Sequence, residues 1–498
     1  MAKEIKNIGL SKSKYCKGIQ CPKILWMDAH MPEEAADTGS QALFDNGNKV
    51  GDLARGYFGS YELVEYSPDK KLMIEQTRNL IDSGADNIAE ASFGFEGLFC
   101  AVDILHKNGD GWDIFEVKSS TSVKNVYIDD MAFQNYVLTK AGINVKHIYN
   151  MHINNQYVFH NEFDLKEYFK VVDCTDECKG KFEEVGAKIE VFRDYVRQEK
   201  EPEKPISEAC DSPYTCTYKQ YCWKSIESPS VFDVCNLRKA KQFQCYGSGI
   251  IEFSDLLKNN VKLNDKQRRQ VETEVHNLPD HIDKEKIKDF LNTLRYPIYH
   301  LDFETYNPAI PEWEGCSPFA KIPFQYSLHI EHEDGRLEHK ELLAKEGVDP
   351  RREVAERLCE DIPIGACSLA YNMSFEKGVI RQLTSLYADL ADHLMDIHDN
   401  MKDLMIPFSE QFYYSRAMQG SYSIKYVLPA LFPDDPELDY HNLSDVHRGD
   451  EASTVYANLI NLPKEEVTKL RESLLKYCEL DTYAMVKILS RLRECVAE

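Results

Sequence analysis

No window of this 498-residue chain approaches eighteen consecutive uncharged apolar residues, and Met1 to Leu10 lacks the apolar stretch of a secretory signal. The expectation is a soluble, cytoplasmic protein without a membrane partner. No repeat with a period of roughly 20–50 residues is visible, which excludes solenoids and propellers. Low-complexity tracts are also missing, and 43% of residues are apolar, which excludes wholesale disorder. The phosphate-cradling GxxxxGK[ST] pattern is absent, so the chain has no nucleotide-driven motor of that kind. Positive charge is in short supply: 59 Lys and Arg face 83 Asp and Glu, a formal net charge of −24. That argues against a protein that coats nucleic acid generally, although catalytic carboxylates and a local basic track can coexist with an acidic remainder. With no secretory signal, the fifteen cysteines point to metal or cluster ligands and core thiols rather than disulfides.

The length exceeds what one core usually serves, so two or three domains are expected. An amphipathic helix over roughly Gly180 to Gln198 ends in the polar, proline-containing run Glu199 to Ile206, and a cysteine-rich segment, Cys210 to Cys235, follows. From Lys239 to Asn292 the pattern is short, charged and helical, with turn signals at Gly247 and Gly249. From Tyr296 onward strands give way to helices, ending in a long helix over about Glu465 to Val496. The expected organisation is α/β multidomain: a first domain over 1–235, a helical connector over 236–292 and a second α/β domain over 293–498.

Leu98 to Leu105 (LFCAVDIL) reads as a buried strand, His106 to Gly111 as a turn, and Trp112 to Lys118 (WDIFEVK) as the returning strand. Strand side chains alternate, so Glu116 and Lys118 share one face beside Asp103. Two carboxylates can hold a divalent metal, and a neighbouring lysine can orient a water or stabilise charge developing on a phosphate. A solvated edge with an ion pair is the bland alternative. Asp followed by ExK across two strands resembles the PD-(D/E)XK nuclease core. That resemblance implies a restriction-endonuclease-like fold, with Glu90 upstream as a further acidic ligand. It also implies a role for Gln134, opening a helix after the site, as the glutamine of the RecB-type QxxxY motif. The chain departs from the pattern twice: Tyr136 falls two residues after Gln134 rather than four, and Gly51, in NGNKVGDLA after Gly47, stands where many RecB-like sites carry a metal-binding histidine.

Cys210, Cys216 and Cys222 stand at two equal spacings in CDSPYTCTYKQYC, and Cys21 lies far upstream in a Cys-Pro-Lys context, with Cys16 nearby. Thiolates suit iron or zinc, and buried free thiols are the third possibility. One cysteine before a RecB-like core and three after it resembles the iron–sulfur nucleases of the AddB and CRISPR-associated RecB-like exonuclease type. There the four thiolates hold a 4Fe-4S cluster, which implies Cys21, Cys210, Cys216 and Cys222 as its ligands here.

Tyr296 to Thr305 (YPIYHLDFET) reads as a strand whose Asp302 and Glu304 face the same way, and paired carboxylates repel unless a cation sits between them. Phe324 to Ile330 and Arg336 to Leu343 read as neighbouring strands, Asp349 and Pro350 as a helix cap, and Cys367 to Tyr371 as a buried strand. NMSFEKGVI places Glu376 at a helix start, and Tyr477 and Asp481 lie four apart on one helix face. DxE, then an NxxFD-like element, then YxxxD resembles the DEDDy branch of the DnaQ-like exonucleases, and Gly420 to Leu428 (GSYSIKYVL) resembles that family's intervening SLK-type helix. The resemblance implies a ribonuclease H-like fold, with Asp302, Glu304, Glu376 and Asp481 holding two Mg²⁺ or Mn²⁺ ions and Tyr477 positioning water. Glu376 stands where the family has aspartate, and Asp403 is a further acidic candidate more suited to a structural role.

Together the resemblances cover most of the chain and imply a nuclease acting on DNA, preferentially single-stranded ends, in repair or anti-phage defence. A helicase or defence-system partner would supply the ends. An RNA-processing exonuclease, and a nucleic-acid-binding scaffold with an inactive first site, are the alternatives.

Overall fold

The computed structural model describes residues 9–36 and 41–497, without the side chains of 41–46. Most of the N-terminal stretch read above as lacking a signal therefore lies outside the described residues. Two compact units form. One runs to Ser225 and also takes in Pro308–Phe319; the other comprises Ile226–Asn307 and Ala320–Glu498. The segment 236–292 lies within the second unit. Both units are α/β with mixed sheets. Among the described residues no helix is long and apolar enough to cross a membrane.

The first unit is built on a seven-stranded sheet. Strands Glu62–Leu63, Asn87–Phe95, Leu98–Asn108, Gly111–Lys118, Val145–Ile153 and Phe169–Asp173 lie in that order, and Leu10–Ser11 pairs parallel with Leu98–Asn108. The hairpin read from sequence forms with longer strands than expected. Asn108 pairs with Gly111, so the turn is only two residues, and Gly109 supplies the positive φ it needs. One boundary differs in a way that matters. Gln134 does not open a helix; it is deep inside helix Asn125–Lys140. The reason is apolar periodicity: Tyr127, Ile128, Met131 and Ala132 are buried against the sheet and extend the helix upstream of Gln134.

The second unit has a five-stranded sheet in the order Leu337–Leu343, Ile322–Glu331, Ile298–Tyr306, Cys367–Ala370, Lys402–Asp403, antiparallel over the first three and parallel thereafter. Period-two alternation divides the central strands. Leu301, Phe303, Leu328 and Ile330 pack with Val354, Ala355 and Leu358 on one face. His300, Asp302, Glu304, Gln325, Ser327 and His329 belong to the other, where helix Lys464–Ala497 lies: Gln325 Nε2 donates to the carbonyl of Leu474, and the Ser327 hydroxyl meets Thr482. A buried sheet face this polar departs from ordinary core patterning, and such departures concentrate at functional sites.

Candidate active site

In the second unit, strand Ile298–Tyr306 presents Asp302 and Glu304, and helix Lys464–Ala497 brings Asp481 to them. One carboxylate oxygen from each of the three lies within 4.8 Å of the others. The helix does this because its buried stripe, Leu474, Tyr477, Cys478, Met485, Ile488, Leu489 and Leu492, recurs at three- and four-residue spacing. Asp481 falls in that stripe. Burial, together with Asp481 and Glu304, pushes the Asp302 carboxyl well above the usual range, and burial followed by Asp481 does the same to Glu304. Asp481 itself rises only to about 6: burial lifts it, while hydrogen bonds from Tyr440 and Tyr477 and the nearby Lys425 hold it down. Three crowded acids, one buried and two half-buried, that resist ionising together are a site short of positive charge.

Glu376, on helix Ser374–Leu386, is 2% exposed, and among the described residues its Oε2 has no hydrogen-bond partner. Burial pushes its carboxyl up to about 8, with Asp403 adding to the shift and Lys321 opposing it. Asp403 has a structural task as well: its Oδ1 accepts from the backbone N–H of Asn372 at 3.0 Å and of Met405 at 2.9 Å. The Tyr477 hydroxyl lies where burial and the surrounding Asp481, Glu304 and Asp302 keep it protonated. A side chain at Gly449 would stand 3.5 Å from Glu304 Oε2 and 3.9 Å from that hydroxyl, so helix Gly449–Asn458 starts against the site.

Several participants had not been singled out from the sequence. Tyr440 donates to Asp481 Oδ1 at 2.5 Å, and the Cys478 thiol donates to Asp302 Oδ2 at 3.7 Å. Cys478 adjoins Tyr477 and was legible in principle, whereas Tyr440 is 41 residues from its partner and carried no local signal. A groove lined by Lys425, Tyr440, His441, His447 and Arg448 adjoins these residues, with Asp434, Asp435 and Asp439 also on its wall.

In the first unit, Asp103 and Glu116 sit one step beyond the paired residues Ile104 and Phe115, and Asp103 Oδ2 accepts from the Val117 N–H at 2.7 Å. Glu116 is buried and heavily engaged. Lys12 Nζ donates to its two oxygens at 2.9 and 3.1 Å, Lys118 Nζ at 2.5 Å and Gln134 Nε2 at 2.6 Å. Burial alone would raise the Glu116 carboxyl, but Lys118 and Lys12 together hold it well below the usual range. Asp103, less directly paired, is pushed up to about 7 by burial and by Glu116. Asp130 completes the cluster, accepting from Lys118 at 2.8 Å and Gln134 at 3.1 Å. Neither Lys12 nor Asp130 was anticipated, although Asp130 precedes Gln134 by one helical turn.

Glu90 bonds Arg55 at 3.3 Å from a backbone at φ +57°, and its charge adds to the rise of the Asp103 carboxyl. Among the described residues Glu90, Asp103 and Glu116 do not gather at metal-ligand spacing. The Tyr136 ring packs tilted against Phe182, with centroids 4.8 Å apart.

Cys21, Cys210, Cys216 and Cys222 line a single cavity with Ile24, Met27 and Tyr218, whereas Cys16 packs against the first unit's core. Burial pushes the Cys216 thiol up to about 11, and the other three thiols add to the shift. Among the described residues these sulfurs form no set within 4.8 Å of one another.

Over residues 299–423 the chain matches the profile of a family described as a domain of unknown function, DUF2779. That span holds Asp302, Glu304, Glu376 and Asp403 and stops before Tyr440, Tyr477 and Asp481. The chain is also similar to uncharacterized protein MG366 of Mycoplasma genitalium, 26% identical over 230 residues, 42% of this chain and 34% of the relative. A second relative, uncharacterized protein UU173 of Ureaplasma parvum, is 27% identical over 168 residues, 31% of this chain and 24% of the relative. The matches thus span about a third and about a quarter of these curated relatives' lengths.

Proposed function

We propose that the second unit is a DnaQ-like, metal-dependent 3′-to-5′ exonuclease with a ribonuclease H-like fold, acting on DNA and preferring single-stranded ends. The observation that carries this reading is the convergence of Asp302, Glu304 and Asp481 around one point beside the Tyr477 hydroxyl. Four carboxylates, Glu304 and Glu376 buried and Asp302 and Asp481 half-buried, fit a pair of Mg²⁺ or Mn²⁺ ions. Bound there, such ions neutralise the scissile phosphate and promote ionisation of a water. Tyr477 then orients the attacking water, Tyr440 holds Asp481 in place, and Lys425 and Arg448 offer cationic contacts to a phosphate backbone.

For the first unit we propose a RecB-like PD-(D/E)XK domain stapled by a 4Fe-4S cluster on Cys21, Cys210, Cys216 and Cys222. The four thiols line one cavity, and cysteine thiolates are the ligands such a cluster takes. Such a cluster ties Cys21 to a segment some 190 residues later, where loop closure is most costly to the free chain. The neutralisation of Glu116 by Lys12 and Lys118, with Glu90 committed to Arg55, favours a second reading of this unit. In that reading its carboxylates bind no metal, and it serves as a nucleic-acid scaffold for the exonuclease. Repair or anti-phage defence is the proposed setting, with a helicase or defence partner supplying ends.

The test is purified protein with Mg²⁺ or Mn²⁺ against end-labelled single- and double-stranded DNA and RNA. The expected outcome is 3′-to-5′ laddering of single-stranded DNA, abolished by Asp302→Ala and reduced by about 10²–10⁴-fold in Tyr477→Phe. Full activity in Asp302→Ala would overturn the assignment, and laddering of RNA alone would select the RNA-processing alternative. Anaerobically purified protein should be brown and Cys216→Ser bleached; a colourless protein with stoichiometric zinc would replace the cluster with zinc.

A further inference from the structure

The polar face of the second unit's sheet carries another set of ligating side chains beyond the carboxylates. His329 and His339 are direct cross-strand partners, with rings stacked at 4.5 Å between centroids. Glu479 lies two residues before Asp481 on helix Lys464–Ala497. One ligand atom from each of His329, His339 and Glu479 falls within 4.8 Å of the other two. Sequence reading passed over the trio because its members come from three separate elements.

The hydrogen bonds determine which nitrogens are free. Thr482 Oγ1 lies 3.1 Å from the Glu479 carbonyl, which can only accept, so Thr482 donates there. Ser327 Oγ, 2.7 Å from Thr482 Oγ1, must then donate to Thr482. His339 Nε2, 2.9 Å from Ser327 Oγ, in turn donates to that hydroxyl, and His329 Nδ1 donates to Thr482 Oγ1 at 2.8 Å. With both imidazoles neutral, no other placement of protons satisfies all four contacts, and lone pairs are left on His329 Nε2 and His339 Nδ1. His339 Nδ1 stands 3.8 Å from Glu479 Oε1. His329 is only 4% exposed, and its Nδ1 is the nitrogen engaged with Thr482. Imidazoles whose far N–H is anchored on a protein acceptor are oriented as metal-binding histidines are.

We propose that His329, His339 and Glu479 form a site for a divalent transition-metal ion of the zinc type, separate from the all-carboxylate site. Two neutral imidazoles and one carboxylate suit zinc, whereas Mg²⁺ and Ca²⁺ take oxygen ligands. Bonds of about 2.0–2.1 Å need donor atoms roughly 3.3 Å apart. The contraction falls on Glu479, whose side chain is 49% exposed and free to swing. Three protein ligands leave a fourth position open to solvent. The ion pins strands Ile322–Glu331 and Leu337–Leu343 to the helix that carries Tyr477 and Asp481, and so steadies the registry of that helix over the carboxylates. The site does not depend on the exonuclease reading.

The test uses the full chain, stripped by chelator and titrated with Zn²⁺ in excess Mg²⁺, which occupies oxygen-only sites. Zinc bound per chain and the melting temperature are both measured. Wild type should bind one more Zn²⁺ than Glu479→Gln or His339→Ala, and Zn²⁺ should raise its melting temperature more than theirs. Thr482→Val, which removes the acceptor shared by His329 Nδ1 and Ser327, should bind that ion about 10–100-fold more weakly. Neither Glu479→Gln nor Thr482→Val touches the cysteines or Asp302, so zinc held elsewhere cancels in the comparison. Glu479→Gln, nearly isosteric and half-exposed, keeps the comparison valid if His339→Ala fails to fold. Equal zinc content and affinity in wild type and Glu479→Gln would overturn the proposal, as would displacement of the ion by equimolar Mg²⁺.

Discussion

Tyr440 is a single hydroxyl with leverage over the whole carboxylate cluster. Its O–H donates to Asp481 Oδ1 at 2.5 Å, and with Tyr477 it offsets the burial that pushes Asp481 up to about 6. Replacing it with phenylalanine deletes the donor but keeps the ring. The free Oδ1 then loses both its orientation and a contact that favours its charged form. If the proposed exonuclease reading holds, Tyr440→Phe should raise the Mn²⁺ concentration needed for half-maximal activity by about 10–100-fold, with a smaller effect at saturating metal. A metal titration of the variant checks this; an unchanged titration with reduced maximal rate would place Tyr440 against the substrate instead.

At the level of elements, helix Lys464–Ala497 and its supports decide the site's geometry. Helix Asp265–His276 contributes at one remove through Gln270, which is 3% exposed. Gln270 Nε2 donates to the Asp233 carbonyl at 2.8 Å, and its Oε1 accepts from the Cys235 N–H at 2.7 Å. Gly420, at φ +77°, lies so close that a Cβ would collide with this amide. Gly420→Ala therefore combines a disfavoured backbone with a clash against a side chain already committed on both ends. It should destabilise the protein by about 2–4 kcal/mol, read as a lower urea midpoint with an unchanged slope. The segment it disturbs leads directly into helix Ile424–Leu431, which carries Lys425.

For the molecule as a whole, the chain does not divide in sequence as cleanly as it divides in space. Pro308–Phe319 belongs to the first unit although it follows the strand bearing Asp302 and Glu304. There Tyr168 donates to the Ala309 carbonyl at 3.0 Å and the Phe159 N–H to the Cys316 carbonyl at 2.9 Å, while Glu314 bonds His160 at 2.6 Å. A fragment ending at Ser225 loses these partners and exposes a tyrosine that is fully buried in the intact chain. Adding a peptide of residues 308–319 should raise the fragment's melting temperature by about 4–8 °C, as expected for ~2 kcal/mol in a domain of this size. A scanning-fluorimetry titration measures it.

What residues alone settled follows from local periods. Alternation along a strand put Asp302 and Glu304 on one face, and a four-residue helical step did the same for Tyr477 and Asp481. These depend only on near neighbours, so they survive without knowledge of the fold. The hairpin carrying Asp103, Glu116 and Lys118 was legible for the same reason, and so were the strands flanking Asp302. Gln134 was misplaced on its helix because polar Asp129 and Asp130 masked an apolar stripe that only packing against the sheet reveals. Tertiary structure alone decided that Lys12 reaches Glu116 across 104 residues, that Tyr440 caps Asp481, and that two histidines meet Glu479. Such pairings are set by which faces the whole chain can bury together, a quantity no local spacing encodes.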